Sequence, residues 1–142
     1  MNPYVRIRVT PDTSIGQTVL VVEYPEPTND PAGRDVRCSV ENPNWTAGKA
    51  IAFQAKPDHA LRLSVSFIDR NGVVYTAWRD LRGGVWQPVR IPFDRIQPNP
   101  YFQPPGVKTG APIDVSEVRM IAFAPQDKTA GRLKLTTLLV SQ

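Results

Sequence analysis

Residues 61–80, LRLSVSFIDRNGVVYTAWRD, decide the fold class of this chain. From Leu61 to Phe67, apolar residues alternate with arginine and serine, the period-two pattern of a strand that buries one face. Asp69 to Gly72 follows, and its Asn-Gly pair favours a tight turn because these residues accept a positive φ. The stretch therefore predicts a β-hairpin whose second strand runs from Val73 to Asp80.

The same alternation predicts short strands along the rest of the chain. We expect about nine strands; besides the hairpin they lie at residues 5–9, 18–24, 34–41, 50–56, 85–93, 118–125 and 131–140. Only residues 113–118 suggest a helical turn. Many short strands at this spacing are typical of an all-β sandwich or barrel. The predicted core residues are Leu61, Leu63, Val65, Phe67, Val89, Ile91, Ile121 and Phe123.

The composition limits the classes of function. The chain has 142 residues, 41% of them hydrophobic, and a net charge of +4. This length predicts one domain spanning residues 1–142. Because its arginines are scattered singly and its apolar runs are short, we expect neither a nucleic-acid nor a membrane partner. Cys38 has no second cysteine to pair with, and its alternation with Val36 and Val40 predicts a buried, inert thiol.

The residues that most catalytic sites need are missing. His59 is the only histidine and lies in a predicted turn, so we expect it to be solvated and no triad to form. One histidine and one cysteine cannot build a zinc site. Several aspartates lie in or near loops, but their spacing matches no calcium motif. The sequence therefore predicts no enzyme and no protein-built metal site.

A long loop after residue 94 is the clearest candidate for function. Residues 95–117 contain five prolines and the adjacent Tyr101-Phe102 pair. Loops of this length within compact domains are usually functional or disordered, and proline stiffens this one. Two adjacent aromatic residues rarely both point into one core, so we expect at least one to be exposed. Trp45 and Trp86 are expected to pack in the core or at its rim, whereas the pattern leaves Trp78 open to either role.

The order of these pieces resembles the family 11 carbohydrate-binding modules. The resemblance covers roughly residues 4–140, and its most specific parts are Trp86 with Ile91-Pro92-Phe93, Gln103 to Gly106, and Asp114 to Phe123. It implies an antiparallel two-sheet jelly roll that binds one glucan chain in a groove on its concave sheet. It also implies a secreted parent enzyme, such as a cellulase or mixed-linkage glucanase.

Several positions depart from the family pattern. The family's Arg-x-Asp-Tyr before the QPPG loop is Asn99 to Phe102 here, and its Asp-Ser near the penultimate strand is Arg119-Met120. The calcium-linked Asp-Asn of the family is Thr136-Thr137. We therefore expect no cofactor, with a structural calcium ion as the alternative that the resemblance leaves open.

The predicted function is non-catalytic binding of a polysaccharide, with a β-glucan such as cellulose, mixed-linkage glucan or xyloglucan as ligand. The expected location is extracellular, attached to a glycoside hydrolase domain. The candidate ligand-binding residues are Asp35, Arg37, Arg62, Tyr75, Trp78, Tyr101, Phe102 and Arg119. The alternative is a structural or inter-domain sandwich that binds protein and has no affinity for sugar.

Overall fold

The computed structural model describes residues 5–26, 35–40 and 45–142. Within these ranges the chain is all-β, with one 3-10 turn at Phe93–Arg95. Its strands are β1 Arg6–Asp12, β2 Gln17–Tyr24, β3 Val36–Ser39, β4 Ala50–Pro57, β5 Leu61–Asp69, β6 Val74–Leu81, β7 Gln87–Pro92, β8 Gln97–Pro98, β9 Val118–Pro125, β10 Gly131–Leu135 and β11 Leu139–Ser141. None of the described helical turns is long and apolar enough to cross a membrane.

Two antiparallel sheets form the predicted β-sandwich. The first sheet runs β1-β2-β10-β4, with β11 on the same edge of β4 as β10 and β7 on the opposite edge. The second sheet has the order β3-β9-β5-β6-β8. Its central strands are therefore β9, β5 and β6, which come from separate parts of the sequence. The jelly-roll expectation is confirmed.

The core between the sheets contains all eight residues that the alternation predicted. Phe53 of the first sheet meets Phe123 of the second edge to face, with ring centroids 5.8 Å apart. Trp45 stacks on Phe93 and contacts Phe67 with its edge, at 6.2 Å in each case. These aromatic contacts fix the separation of the sheets at one end of the sandwich.

The hairpin of β5 and β6 forms as predicted, with a turn that depends on Asp69 and Gly72. Gly72 adopts a φ of 85° and donates its N–H to the Asp69 carbonyl at 3.0 Å. The Asp69 carboxylate accepts the N–H groups of Asn71 and Val73, both at 2.9 Å. Only Gly72 of the Asn-Gly pair has a positive φ. The turn is a three-residue loop with a bulge, and in such a loop only the last position is left-handed.

Four strand predictions differ in extent from the structure. The strand expected at 5–9 begins at Arg6 and extends to Asp12 as β1. The strand expected at 131–140 divides into β10 and β11, which pair with different parts of β4. The strand expected at 85–93 is shorter, because Val85 lies in the preceding turn. The strand expected at 34–41 is observed as β3, and residues 34 and 41 lie outside the described part of the chain.

Cys38 is exposed, which corrects the prediction of a buried thiol. It faces Ile121 of β9 on the core side of the ladder, but β3 is the last described strand at that edge of the second sheet. The first sheet does not cover it there. Partial desolvation nevertheless raises the pKa of Cys38 above its ordinary value. The thiol therefore stays protonated at neutral pH, which makes it a poor nucleophile.

Candidate binding groove

A groove of about 480 Å³ lies on the outer face of the second sheet. Its floor consists of small side chains from the three central strands. Ala122 faces Ser66 across the β9–β5 ladder, and Ser66 faces Thr76 across the β5–β6 ladder. In the next row Ala124 faces Ser64. The groove exists because these short side chains lie between longer ones on both flanks.

Hydrogen bonds hold the polar groups of the floor in fixed orientations. The hydroxyls of Ser66 and Thr76 are 2.9 Å apart. Ser64 donates to the Ala124 carbonyl at 3.2 Å and accepts from the Gln126 side-chain amide at 3.1 Å. Because the Ser64 and Ser66 hydroxyls are each held by a neighbour, the hydrogen-bonding capacity that they keep meets a ligand without reorganisation.

Aromatic side chains form one flank of the groove. The rings of Trp78 and Tyr101 meet at 75°, with centroids 6.4 Å apart. Tyr101 is 88% exposed and Phe102 57% exposed. The Arg62 guanidinium carbon lies 5.7 Å from the centroid of Trp78, within range of a cation–π contact. This flank therefore offers flat apolar faces with a cation beside them.

The loop that carries Tyr101 and Phe102 is fastened to β6 by two amide side chains. The Asn99 side chain accepts the N–H groups of Tyr101 and Phe102 at 2.8 and 3.0 Å and donates to the Thr76 hydroxyl at 2.9 Å. Gln103 accepts the N–H of Val74 at 2.9 Å and donates to the carbonyl of the same residue at 2.7 Å. Gln103 thus occupies the edge of β6 as a neighbouring strand would, and the loop continues the sheet.

Charged side chains stand at the opposite flank and at one end of the groove. Arg37 of β3 lies 3.4 Å from Asp35, and it faces Ala122 across the ladder. Arg62 lies 4.0 Å from Asp80, whose side chain is 91% exposed. Both ion pairs are exposed and weak, so the guanidinium N–H groups are available to a ligand.

The structure places six of the eight predicted site residues in the wall or at the ends of this one groove. They are Asp35, Arg37, Arg62, Trp78, Tyr101 and Phe102. Arg37 and Arg62 face the same cavity, but their strands β3 and β5 are not neighbours, because β9 lies between them. The sequence alone does not indicate this order. Whether the six bind a ligand stays a prediction.

Tyr75 and Arg119 do not line the groove, which corrects their predicted placement. Tyr75 is 3% exposed and belongs to the core, because it alternates with Thr76 and Trp78 along β6. Arg119 lies at the end of the sheet, 3.6 Å from Glu117. The register shifts there between Ile68 and Asp69, so that Arg119 has no partner residue on β5.

Sequence reasoning missed several residues that also line the groove, namely Ile68, Val74, Asn99, Ala122, Ala124 and Gln126. Two of these residues could have been found from the pattern of side-chain size in the sequence. Ala122 and Ala124 alternate with the core residues Ile121 and Phe123, so two successive outward positions of β9 carry only a methyl group. Small outward residues on a central strand indicate a depression in the sheet.

His59 lies outside the groove, between two carboxylates. Its Nδ1 is 2.7 Å from the Asp58 side chain, and its Nε2 contacts the Asp127 side chain. The hydrogen bond to Asp127, followed by that to Asp58, raises the pKa of His59 above its ordinary value. His59 is thus a link between the β4–β5 turn and the β9–β10 loop, and not the solvated residue that the sequence predicted.

Within residues 5–26, 35–40 and 45–142, no group of three or more histidine, cysteine, aspartate or glutamate residues could hold a metal ion. Thr136 and Thr137 follow β10, and the Thr136 hydroxyl accepts the N–H of Gln54 at 2.8 Å. That hydroxyl has a structural role in the first sheet.

Comparison with solved structures shows the fold. A family 11 carbohydrate-binding module from Clostridium thermocellum, solved with a β-1,3-1,4-mixed-linked tetrasaccharide, superposes with a TM-score of 0.73 at 18% identity, covering 96% of this chain and 82% of that one. The family 11 module of a cellulosomal cellulase from the same organism gives 0.75 at 18% identity, covering 97% and 82%. The resemblance seen in the sequence is therefore confirmed for the fold.

A larger enzyme contains a similar domain. An exo-β-agarase matches with a TM-score of 0.65 at 15% identity over 98% of this chain and 23% of its own. No protein-family model and no curated protein matches the sequence. At these identities the likeness establishes the architecture and leaves the ligand to be argued from the groove.

Proposed function

We propose that this chain is a non-catalytic polysaccharide-binding module whose groove takes a single β-glucan chain, of cellulose, mixed-linkage glucan or xyloglucan. The observation that carries the proposal is the groove itself, with aromatic rings on one flank and fixed hydroxyl, amide and guanidinium groups around them. As part of a secreted glycoside hydrolase, such a module would hold the catalytic domain near its substrate. Because none of the described residues suggests a catalytic dyad in the groove, its proposed task is binding alone.

The chemistry of a glucan chain fits both kinds of surface in the groove. A pyranose ring presents C–H groups on its faces, which pack on flat aromatic rings such as those of Trp78 and Tyr101. Its hydroxyls lie at the rim and both donate and accept hydrogen bonds. Arg37 and Arg62 supply donors in a planar fork, and Ser64, Ser66 and Asn99 supply groups of both kinds.

The first test replaces Trp78 by alanine. Removing the indole takes away the largest flat surface in the groove, so we expect affinity for β-glucan to fall by about tenfold or more. Affinity electrophoresis against soluble mixed-linkage glucan, xyloglucan, xylan and mannan, followed by calorimetry on the best ligand, measures the loss. Tyr101→Ala is expected to give a smaller loss, because its ring is more exposed.

Trp86→Ala provides a matched control. Trp86 is a half-buried tryptophan outside the groove, and its indole N–H donates to Ser14 at 3.3 Å. Its loss should leave affinity unchanged. If no glycan in the panel retards the parent chain, the protein-binding alternative is favoured. If Trp78→Ala and Tyr101→Ala both bind like the parent chain, the groove is not the sugar site.

A further inference from the structure

Positive charge is concentrated on the outer face of the first sheet, on the other side of the molecule from the groove. The register of the strands places Arg8, Val21, Lys134 and Lys56 in one row across β1, β2, β10 and β4. The outward charged positions of this sheet comprise six basic and two acidic side chains. They are Arg6, Arg8, Lys56, Arg90, Arg132 and Lys134, with Asp12 and Glu23.

Only part of this charge is neutralised within the molecule. Arg132 lies 3.2 Å from Glu23, and Lys134 lies 3.4 Å from Asp12. Arg6, Arg8 and Lys56 form no ion pair with any residue in the described part of the chain. Two of these three cations, Arg6 and Arg8, occupy β1, so among the described residues the charge without an ion-pair partner is greatest at that edge of the sheet.

β1 is also an edge that can accept another strand. It pairs with β2 over seven residues, and no described strand pairs with its other side. Its two faces differ in character. Arg6 and Arg8 are exposed on the outer face, whereas on the core side Ile7 is half-buried and Val9 is 69% exposed. Within the described part of the chain, the edge therefore offers unpaired backbone groups, except the missing N–H of Pro11, with two cations on one face and an uncovered apolar side chain on the other.

We infer that β1 binds an extended polypeptide segment in which acidic and apolar residues alternate. Alternate residues of a strand lie about 6.6 Å apart on one face, so two carboxylates of such a segment match Arg6 and Arg8 in spacing. Its apolar residues then point to the core side and cover Val9. Its backbone completes the ladder, which is the strand-addition mode of peptide recognition.

The charges also argue against a second copy of this chain as the partner. Parallel, in-register pairing of two β1 strands would bring the arginines of both copies together, and like charges across a ladder are destabilising. Full antiparallel pairing would instead place Arg6 opposite Asp12, whose carboxylate already lies 3.4 Å from Lys134 within its own chain. Basic residues on an edge strand commonly prevent such self-association. The same residues attract a strand of opposite charge, so the surface selects an acidic partner. This site is independent of the proposed sugar groove.

Fluorescence anisotropy with a labelled synthetic peptide tests the inference. The peptide has the length of β1, seven residues, and alternates aspartate with valine. We expect saturable binding to the full chain that weakens as ionic strength rises, because the charges are exposed. The double variant Arg6→Glu, Arg8→Glu is expected to weaken binding by about tenfold, since two attractive pairs become repulsive.

Three controls make the test specific. Arg82→Glu with Arg95→Glu makes the same change in net charge at exposed positions elsewhere and should leave peptide affinity unaltered. A peptide N-methylated at alternate residues keeps its charges but cannot complete the ladder, so it should not bind. The Arg6→Glu, Arg8→Glu variant should stay folded and keep the glucan affinity of the parent chain, with a modest loss of thermal stability because position 6 faces Glu23.

Two results would overturn the inference. Equal binding of the N-methylated peptide would show that the ladder is not involved. Binding of heparin or single-stranded DNA through Arg6 and Arg8, with no binding of the acidic peptide, would assign the face to polyanions and not to a strand.

Discussion

Ala122 shows how one residue can decide whether the groove exists. It lies on β9 between Arg37 and Ser66, at the centre of the floor, and its neighbours Ile121 and Phe123 point into the core. A methyl group at this outward position leaves room above the sheet. The side chains that hold the sandwich together and those that shape the groove thus alternate along the same strand.

A larger side chain in the floor of the groove should therefore weaken binding without unfolding the protein. Ala122→Leu adds three carbon atoms on the open side of the sheet, where they occupy the groove, and we expect affinity for β-glucan to fall by at least about tenfold. Calorimetry measures the affinity and circular dichroism the melting temperature. Ala52→Leu, on the outer face of the first sheet opposite Arg90, is the matched control and should bind normally. Full affinity of Ala122→Leu would place the ligand elsewhere.

Individual side chains were the least predictable part of the site. The alternation in residues 73–80 does contain the information that Tyr75 faces the core, because it lies one residue from Thr76 and three from Trp78. Arg119 differs, since its position depends on a register shift beside Asp69 that no local pattern indicates. Cys38 follows the alternation correctly, but its exposure depends on how far the opposite sheet extends.

At the scale of elements, the segment from Asn99 to Gln103 acts as an extension of the second sheet. A series of hydrogen bonds runs from the Ser66 hydroxyl through the Thr76 hydroxyl to the Asn99 side chain. From Asn99 it continues to the backbone N–H groups of Tyr101 and Phe102. The groove floor and the aromatic loop are consequently one hydrogen-bonded unit. Asn99 is a positioning residue, since it orients the aromatic rings through their backbone.

Removing the Asn99 side chain should weaken binding through the loop. Asn99→Ala deprives two backbone N–H groups and one hydroxyl of their partner, so the loop loses its defined position, and we expect several-fold lower affinity for β-glucan. Asn99→Asp keeps the acceptor for Tyr101 and Phe102 and should recover part of the loss. Calorimetry gives the affinities, and limited proteolysis reports the order of residues 99–103. Equal affinities for alanine, aspartate and parent chains would contradict the positioning role.

The positions of the strands in the sequence were largely predictable, whereas the order in which they pair within each sheet was not. Period-two alternation depends only on the burial of one face, so it locates β5, β6 and β9 from the sequence alone. Which strands lie side by side depends on long-range packing, and nothing in residues 36–39 indicates that β3 pairs with β9. The proposed site could therefore be predicted as a set of outward residues, but not as a groove with a defined floor.

At the scale of the whole molecule, His59 makes the contact between the β4–β5 turn and the β9–β10 loop depend on pH. Its two ring nitrogens contact two carboxylates, and only the protonated imidazolium has an N–H for each. Because the folded state raises the pKa of His59, protonation favours folding. The stabilisation is complete below the ordinary pKa of 6.5 and is lost as pH rises through the higher pKa of the folded state.

Urea unfolding at several pH values checks this linkage. Between about pH 5.5 and about pH 8.5 we expect the free energy of unfolding to decrease in the parent chain, and His59→Asn to remove that component because asparagine does not titrate. Asp127→Asn should flatten the profile in the same way, since Asp127 contributes most to the shift. An unchanged pH profile in both variants would show that the carboxylate contacts do not stabilise the fold.

The position of β9 between β3 and β5 has a consequence for how the protein is made. The floor of the groove unites residues 36–39, 61–69 and 118–125, so the strand at its centre is synthesised after the strands on both sides of it. Pairings so distant in sequence give a high contact order, and all-β domains of this kind fold in about milliseconds to seconds. Until β9 arrives, β5 has an unpaired edge and the nascent chain has no groove.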